Sequence, residues 1–194
     1  AKESPLSATA AWALAKINPD ESVLVEDAVE RMRAQCQSES VFEQAAAVSA
    51  LSDLSPYLDA TQRQNIGAFL GGMLANASEP VQEAAAAALV RLGSDGIPAL
   101  VSLLKDNETQ LLALGIVSAI GESAAEAVPQ IVELLDEKND EILHEAILAL
   151  AAIGSASSIA SDRILAILDE SVQNQSEVES RLHYAAAYCL GRIG

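Results

Sequence analysis

Two histidines, His144 and His183, are the residues whose type and spacing first suggest chemistry. They fall on successive predicted helices of the same kind, one position out of register, and Glu145 follows the first of them. A histidine beside a carboxylate is typical of acid–base or metal sites, but either role needs more ligands on the same face. We therefore interpret both histidines as structural or surface residues. The sequence predicts no catalytic residue, no metal site and no cofactor.

The remaining polar motifs also favour a structural interpretation. The acidic run at 136–141 resembles a calcium loop only superficially, since it lacks the glycine that such a loop needs for its sharp turn. No serine lies in a nucleophile elbow, and no glycine-rich phosphate loop is present. Cys36 and Cys189 are too far apart to suggest a disulfide framework or a metal spacing, and Cys189 replaces a small core residue of other repeats.

Composition and charge narrow the class of protein. With 11 basic and 28 acidic residues the net charge is −17, which disfavours nucleic acid and favours solubility and basic partners. The alternative is that the carboxylates only solvate outer helix faces. Hydrophobic residues make up 51% of the chain and aromatic residues 3%, with alanine dominant and few strand patterns, so the fold is predicted to be all-helical. No apolar run approaches the roughly 18 residues of a membrane span, and no signal peptide is visible, so the compartment is not indicated.

A repeated pattern predicts the elements that would position any site. Six anchor positions close a helix, and most of them are glycine, which tolerates the left-handed conformation of a helix end. The anchors are Asn18, Ser55, Gly93, Gly121, Gly154 and Gly194. Eight residues before each anchor stands an alanine, and four and one before it stand aliphatic residues on the same helix face, so the three positions predict a core stripe. In the first unit these core residues are Ala10, Leu14 and Ile17.

Between anchors lies a second, outer helix, led in two units by Pro98 and Pro129 in its first turn. We call the outer helices A and the anchored helices B. The units are 1–18 (a half repeat with a B helix only), 19–55, 56–93, 94–121, 122–154 and 155–194. They are expected to form one continuous solenoid over 1–194. Because neither end has a polar capping unit, we expect a fragment of a longer array whose ends could pair end to end.

These units resemble HEAT repeats, most closely the short bacterial HEAT-like type that also occurs in phycobilin lyase subunits. The resemblance rests on the segments 85–93, 146–154 and 184–194 and on the two proline-led helices. It implies an all-α, right-handed solenoid (an armadillo-like superhelix) of five helical hairpins and an N-terminal half repeat, with the B helices on the concave side. The arginine and aspartate ladder of the family is suggested only by Arg91 and Arg192.

On each B helix, the positions ten, six and three before the anchor point away from the core stripe. They form an unusually apolar row, which predicts a groove that binds an apolar helix or a peptide of a partner protein. If the acidic outer surface attracts the partner, the partner is expected to be basic. The predicted contact residues are Trp12, Val90, Leu111, His144, Leu148, Tyr184 and Tyr188. The alternative is that curvature packs these residues against neighbouring B helices.

The sequence favours a non-enzymatic protein-interaction scaffold. Two other functions stay open: an enzyme-associated subunit resembling the phycobilin lyase proteins, or a structural spacer that oligomerises other domains. A ligand-filled polar pocket near His144 and His183 would favour the first, and contacts through the chain ends would favour the second.

Overall fold

The computed structural model of the chain describes residues 5–75, 77–173 and 177–194, and side chains in 7–75, 77–170 and 180–194. Residues 1–4 of the predicted first unit lie outside the described residues. Within the described part all regular secondary structure is helical, which confirms the all-α prediction. The helices are α1 (Pro5–Ile17), α2 (Ser22–Gln35), α3 (Val41–Leu54), α4 (Ala60–Leu74), α5 (Glu79–Leu92), α6 (Ile97–Leu103), α7 (Gln110–Ile120), α8 (Val128–Glu133), α9 (Asp140–Ile153), α10 (Ser161–Gln173) and α11 (Glu177–Ile193).

Short 3-10 turns join several of these helices, and the chain divides into two compact units. Unit 1 is Ala1–Gly96 and unit 2 is Ile97–Gly194. In both, A and B helices alternate as helical hairpins, the arrangement of an α-solenoid. Pro98 and Pro129 are the second residues of α6 and α8, which confirms their predicted place in the first turn.

The glycine anchors close their helices as predicted, but through a different conformation. Gly93, Gly121 and Gly154 have φ of 58°, 68° and 76°, with ψ of −127°, −135° and −138°. This region is the mirror image of extended backbone and is essentially restricted to glycine, whereas the left-handed helical region also admits asparagine. Ser55 instead keeps right-handed helical angles, and no described residue other than glycine has positive φ.

Unit 1 is built on the parallel packing of two B helices, α3 and α5, with the A helices α2 and α4 behind them. The core stripe of α5, Ala85, Leu89 and Leu92, is buried as the pattern predicted. Arg63 on α4 donates from Nε to Asp95 Oδ2 at 2.6 Å in the 3-10 turn that follows α5. This ion pair holds the outer helix against the end of the inner one.

The first helix departs from the predicted packing. Ala10, Leu14 and Ile17, its predicted core residues, are exposed, Leu14 by 49% and Ile17 by 74%. The buried residues are Ala8, Ala11 and Ala15 instead. The reason is that α1 packs chiefly on α2 and touches α3 only lightly, so a different stripe of the helix faces the core.

Unit 2 has three B helices, α7, α9 and α11, in side-by-side contact in that order. Most residues of their core stripes are buried, among them Ala113, Val117, Ala146, Leu150, Ala186 and Ile193, whereas Ile120 and Leu190 are half-buried. The A helices α6, α8 and α10 pack against α7, α9 and α11 respectively. Full burial of a leucine or isoleucine side chain contributes roughly 1.5–3 kcal/mol, so these stripes are the main source of stability in the unit.

Three helical stretches are long and apolar enough, by length and composition, to cross a membrane: Glu79–Leu103, Gln110–Asp136 and Asp140–Glu170. The expectation that no apolar run approaches that length was therefore wrong, because each of these stretches combines two helices and the turn between them. In the fold, a glycine with positive φ does divide each stretch. The α-helices before these glycines have 14, 11 and 14 residues, fewer than the roughly 20 of a spanning helix.

Candidate binding surface

The three B helices of unit 2 present apolar side chains on the side opposite to their core stripe. Tyr184 and Tyr188, one turn apart on α11, are 74% and 59% exposed, and Leu111 at the start of α7 is 37% exposed. Leu148 on α9 is half-buried, and Gly115 on α7 is exposed, with no atom from outside its own stretch of helix within 4 Å of the point that a side-chain Cβ would occupy. We call these five residues the open face of unit 2.

Small exposed residues surround the tyrosines. Ala187 and Gly191 lie on the same helix, and Gly191, like Gly115, has open space where a side chain would be. His183 meets the Tyr184 ring edge-on, with ring centroids 5.8 Å apart. The two phenol rings therefore project from a surface of low relief, which leaves their faces accessible to another molecule.

The position six before the anchor differs from the position three before it on three of the B helices. In the −6 row every residue is exposed or half-buried, whereas the −3 residues Ala15, Ser52 and Ala151 are buried. The −3 position lies one turn after the −7 position on the same stripe, and the −7 residues Val48, Leu114 and Ile147 are fully buried. On α1, α3 and α9 the −3 residue thus belongs to the flank of the B helix, whereas Gly191, the −3 residue of α11, is exposed.

His144 lies at the edge of the open face, in a polar notch of about 330 Å³ lined by Asp140, Glu141, Arg181 and Leu182. Its side chain is 18% exposed, and its Nδ1 is 3.1 Å from Glu145 Oε1. His183 does not line this notch. In the described ranges no group of three or more metal-ligating side chains could hold a metal ion. What the arrangement offers here is a partly shielded imidazole beside carboxylates and one guanidinium.

The other two predicted contact residues, Trp12 and Val90, belong to unit 1 and do not share a site. Trp12 lines a cleft of about 550 Å³ between α1 and α3, with Met32 of α2 among the other lining residues. Val90 on α5 is half-buried and does not line this cleft. The structure therefore gathers Leu111, Leu148 and the two tyrosines, with His144 at their edge, and separates Trp12 and Val90 from each other.

Phe42 and Glu43 are the cleft residues that the sequence pattern missed. Phe42, in the first turn of α3, is 83% exposed, and Glu43 follows it. Both precede the −10 position, so the outward-facing pattern excluded them. A phenylalanine in the first turn after the capping residue Ser40, where polar residues are preferred, was the available signal.

One rung of the arginine ladder is present in unit 1. Arg91 donates from Nη1 to Asp53 Oδ1 at 2.8 Å, and both residues stand two before their anchors on neighbouring B helices. In unit 2 the equivalent Arg192 donates from Nε to the main-chain oxygen of Ala151 at 3.3 Å. Alanine replaces the acidic partner at the −2 position of α9, which explains why the ladder was only suggested by the sequence.

Both cysteines are buried, and their thiols are expected to be unreactive. Burial raises the pKa of the Cys36 thiol to about 12, with Arg33 nearby acting in the opposite direction, and raises the pKa of Cys189 to about 11. The thiolate is the reactive form, so neither thiol is a nucleophile near neutral pH. Cys189 is fully buried, which confirms its prediction as a small core residue.

Comparison with known families is decisive for the architecture. Residues 97–181 match the family described as HEAT repeats, and residues 81–106 match the PBS lyase HEAT-like repeat. Over residues 81–181 this chain is built of HEAT-like repeats. No match was found among curated proteins.

Several solved structures similar to this chain are designed or engineered molecules. An engineered protein is 22% identical, with 100% of this chain and 94% of the other aligned at a TM-score of 0.52. A designed armadillo repeat protein in complex with the peptide (KR)4 is 20% identical, with 94% and 92% aligned at a TM-score of 0.50. A second designed armadillo repeat protein is 18% identical, with 96% and 93% aligned at the same TM-score. At these identities the likeness establishes the α-solenoid fold, which is typical of protein-interaction scaffolds.

Proposed function

We propose that this chain is a non-enzymatic interaction module that binds a segment of another protein on the open face of unit 2. The observation that carries the proposal is the pair of exposed tyrosines, Tyr184 and Tyr188, set one helical turn apart beside exposed glycine and alanine. Tyrosine offers a large contact area at low entropic cost, and it is enriched among residues that dominate binding energy.

The shape of the face favours a peptide segment as the occupant. Leu111, Leu148 and the tyrosines lie on three neighbouring helices, so a segment that crosses α7, α9 and α11 touches apolar groups at each step. Between these groups the exposed Gly115 and Gly191 leave room for a backbone to approach. A contiguous apolar face of this kind on a repeat protein is typical of a contact site.

The charge of the surroundings favours a basic segment. Exposed carboxylates stand at the N-terminal ends of the B helices in unit 2, at Glu108, Asp140 and Glu141, and the chain carries a net charge of −17. Such a field attracts basic partners and raises their association rate. A designed armadillo repeat protein of similar fold is in complex with the basic peptide (KR)4, which supports the same choice.

The test is a selection of peptides from a random displayed library on the wild-type chain. We expect enrichment of sequences that combine apolar residues with lysine or arginine. Binding of the enriched peptides should fall at least about tenfold on the double variant Tyr184→Asp/Tyr188→Asp, because two contact residues are lost and two charges are added to an apolar face.

A control is Ile159→Asp, which places one such charge on an exposed apolar residue of unit 2 that lies in the 3-10 turn before α10. This variant should bind the selected peptides like the wild type, and circular dichroism should show all variants folded. Equal affinity of the tyrosine variant and the wild type, or selection of acidic peptides, would contradict the proposal.

A further inference from the structure

The cleft between α1 and α3 is a second feature that calls for an occupant. It has a volume of about 550 Å³, within the range of ligand sites, and its walls combine four alanines, Met32 and the aromatic rings of Trp12 and Phe42 with five polar side chains. It exists because α1 packs on α2 and leaves α3 largely uncovered. The neighbouring pair α3 and α5, by contrast, packs closely.

Trp12 is held in this cleft by packing and charge rather than by a hydrogen bond. Its indole Nε1–H is buried and has no hydrogen-bond partner in the described part of the chain. The Lys16 ammonium lies 5.8 Å from the ring centroid, and the same ammonium is 5.8 Å from the Tyr57 ring. A buried donor without a hydrogen-bond partner is energetically costly.

The charge of the cleft is one-sided. Two carboxylates, Glu43 and Asp53, line it, and none of its described lining residues is basic. Asp53 is already neutralised by Arg91 at 2.8 Å. Glu43 accepts hydrogen bonds from Gln35 and Ser38 but has no ion-pair partner among the residues that the structure describes. One half-buried negative charge beside an apolar cavity therefore lacks a counter-charge.

We infer that the cleft binds a partner peptide through one large apolar side chain that enters between Trp12 and Phe42, with an adjacent lysine or arginine pairing with Glu43. The apolar volume accounts for the anchor side chain, and the unpaired carboxylate accounts for the cation. The inference extends the proposed protein-binding function to unit 1, and its readout is separate from unit 2.

The chain carries its own probe, since Trp12 is its only tryptophan. We would titrate the wild-type chain with a capped peptide of repeated Leu-Lys-Lys-Leu units and follow the emission of Trp12. Two matched peptides replace every Lys by Glu or every Leu by Ser. We expect a saturable change in emission with the first peptide and none with the other two, because each lacks one of the two required groups.

Two variants locate the contacts. Ala46→Leu fills the cleft from an exposed position of α3 and should weaken the first peptide about tenfold or more. Its control, Ala87→Leu, makes the same change at an exposed residue of α5 outside the cleft and should bind normally. Glu43→Gln should weaken binding about threefold to fivefold, whereas Glu83→Gln, with the same change of net charge, should not.

Several outcomes would overturn the inference. A Trp12 signal that Ala46→Leu leaves intact means that the peptide binds elsewhere. Equal responses to the Lys and Glu peptides, or to Glu43→Gln and wild type, remove the role of the charge. Saturation by neutral hexanol without displacement by the peptide would make the cleft a small-molecule pocket. If the first peptide causes no change in Trp12 emission while peptides still bind at Tyr184 and Tyr188, this site is rejected and the proposed function of unit 2 stays in place.

Discussion

At the scale of single residues, Cys36 gives the clearest link between burial and a measurable property. The side chain is 2% exposed, and burial raises the pKa of its thiol from 9.0 to about 12. Below pH 9 the thiol is protonated in both the folded and the unfolded chain. Between the two pKa values only the unfolded chain loses the proton, so the unfolded state gains free energy of ionisation that the folded state does not.

The free energy of unfolding should therefore fall as pH rises above 9, with a contribution from Cys36 of about 1.4 kcal/mol per pH unit. Urea unfolding of the wild type and of Cys36→Ala at about pH 8 and about pH 10 measures this contribution. At the lower pH, Cys36→Ala should have a smaller free energy of unfolding than the wild type, because the substitution leaves a cavity. The difference between the two proteins should shrink at the higher pH. A cost that is the same at both values would show that the thiol titrates normally in the folded chain.

Single residues were also where prediction from sequence was least complete. The outward direction of Tyr184, Tyr188 and Leu111 follows from helix geometry alone, because each lies opposite a regular core stripe. Phe42 and Glu43 escaped because their importance depends on the position of a different helix, α1. The spacing of apolar residues describes one helix at a time, whereas a cleft is formed by two helices.

At the scale of elements, glycine turns decide where the B helices α5, α7 and α9 end. Gly121 has φ 68° and ψ −135°, and a side chain there is strained whatever space surrounds it. Gly115 is six residues earlier in the same helix, does not have positive φ, and has open space where a Cβ would be added. The two positions form a matched pair for one substitution.

We expect Gly121→Ala to lower the free energy of unfolding by about 1–3 kcal/mol, because alanine cannot adopt this backbone region without strain. Gly115→Ala should raise it by about 0.5–1 kcal/mol, because alanine loses less backbone entropy in a helix. Chemical denaturation of both variants measures the difference. Equal effects of the two substitutions would mean that Gly121 is kept for some reason other than its dihedral angles.

Elements were predicted well where the repeat is regular and poorly where it is not. The three aligned positions correctly predicted the buried stripes of α3, α5 and α9. The same rule failed for α1, where Leu14 and Ile17 are exposed. A stripe three and four residues apart identifies a helix face, but which face is buried depends on the neighbour. For α1 that neighbour is α2, whose contact the repeat pattern does not contain.

At the scale of the whole molecule, the composition, the family match and the helical hairpins agree on an α-solenoid. Some aspartates form ion pairs, with Arg63, Arg91 and Arg163 each contacting one of them. Most carboxylates of the described residues are exposed. The continuity of one solenoid over 1–194, its place in a longer array and its end-to-end pairing stay predictions. The protein-binding role of the open face is the claim on which the functional account depends.

Fluorine NMR of the chain with 3-fluorotyrosine at its three tyrosines tests that claim most directly. Tyr57 belongs to unit 1, and single Tyr→Phe variants assign each signal. On addition of a peptide selected on the wild-type chain, we expect the Tyr184 and Tyr188 resonances to shift together and to saturate with the same affinity. Unchanged Tyr184 and Tyr188 signals while the peptide is bound would contradict the open face as the binding surface.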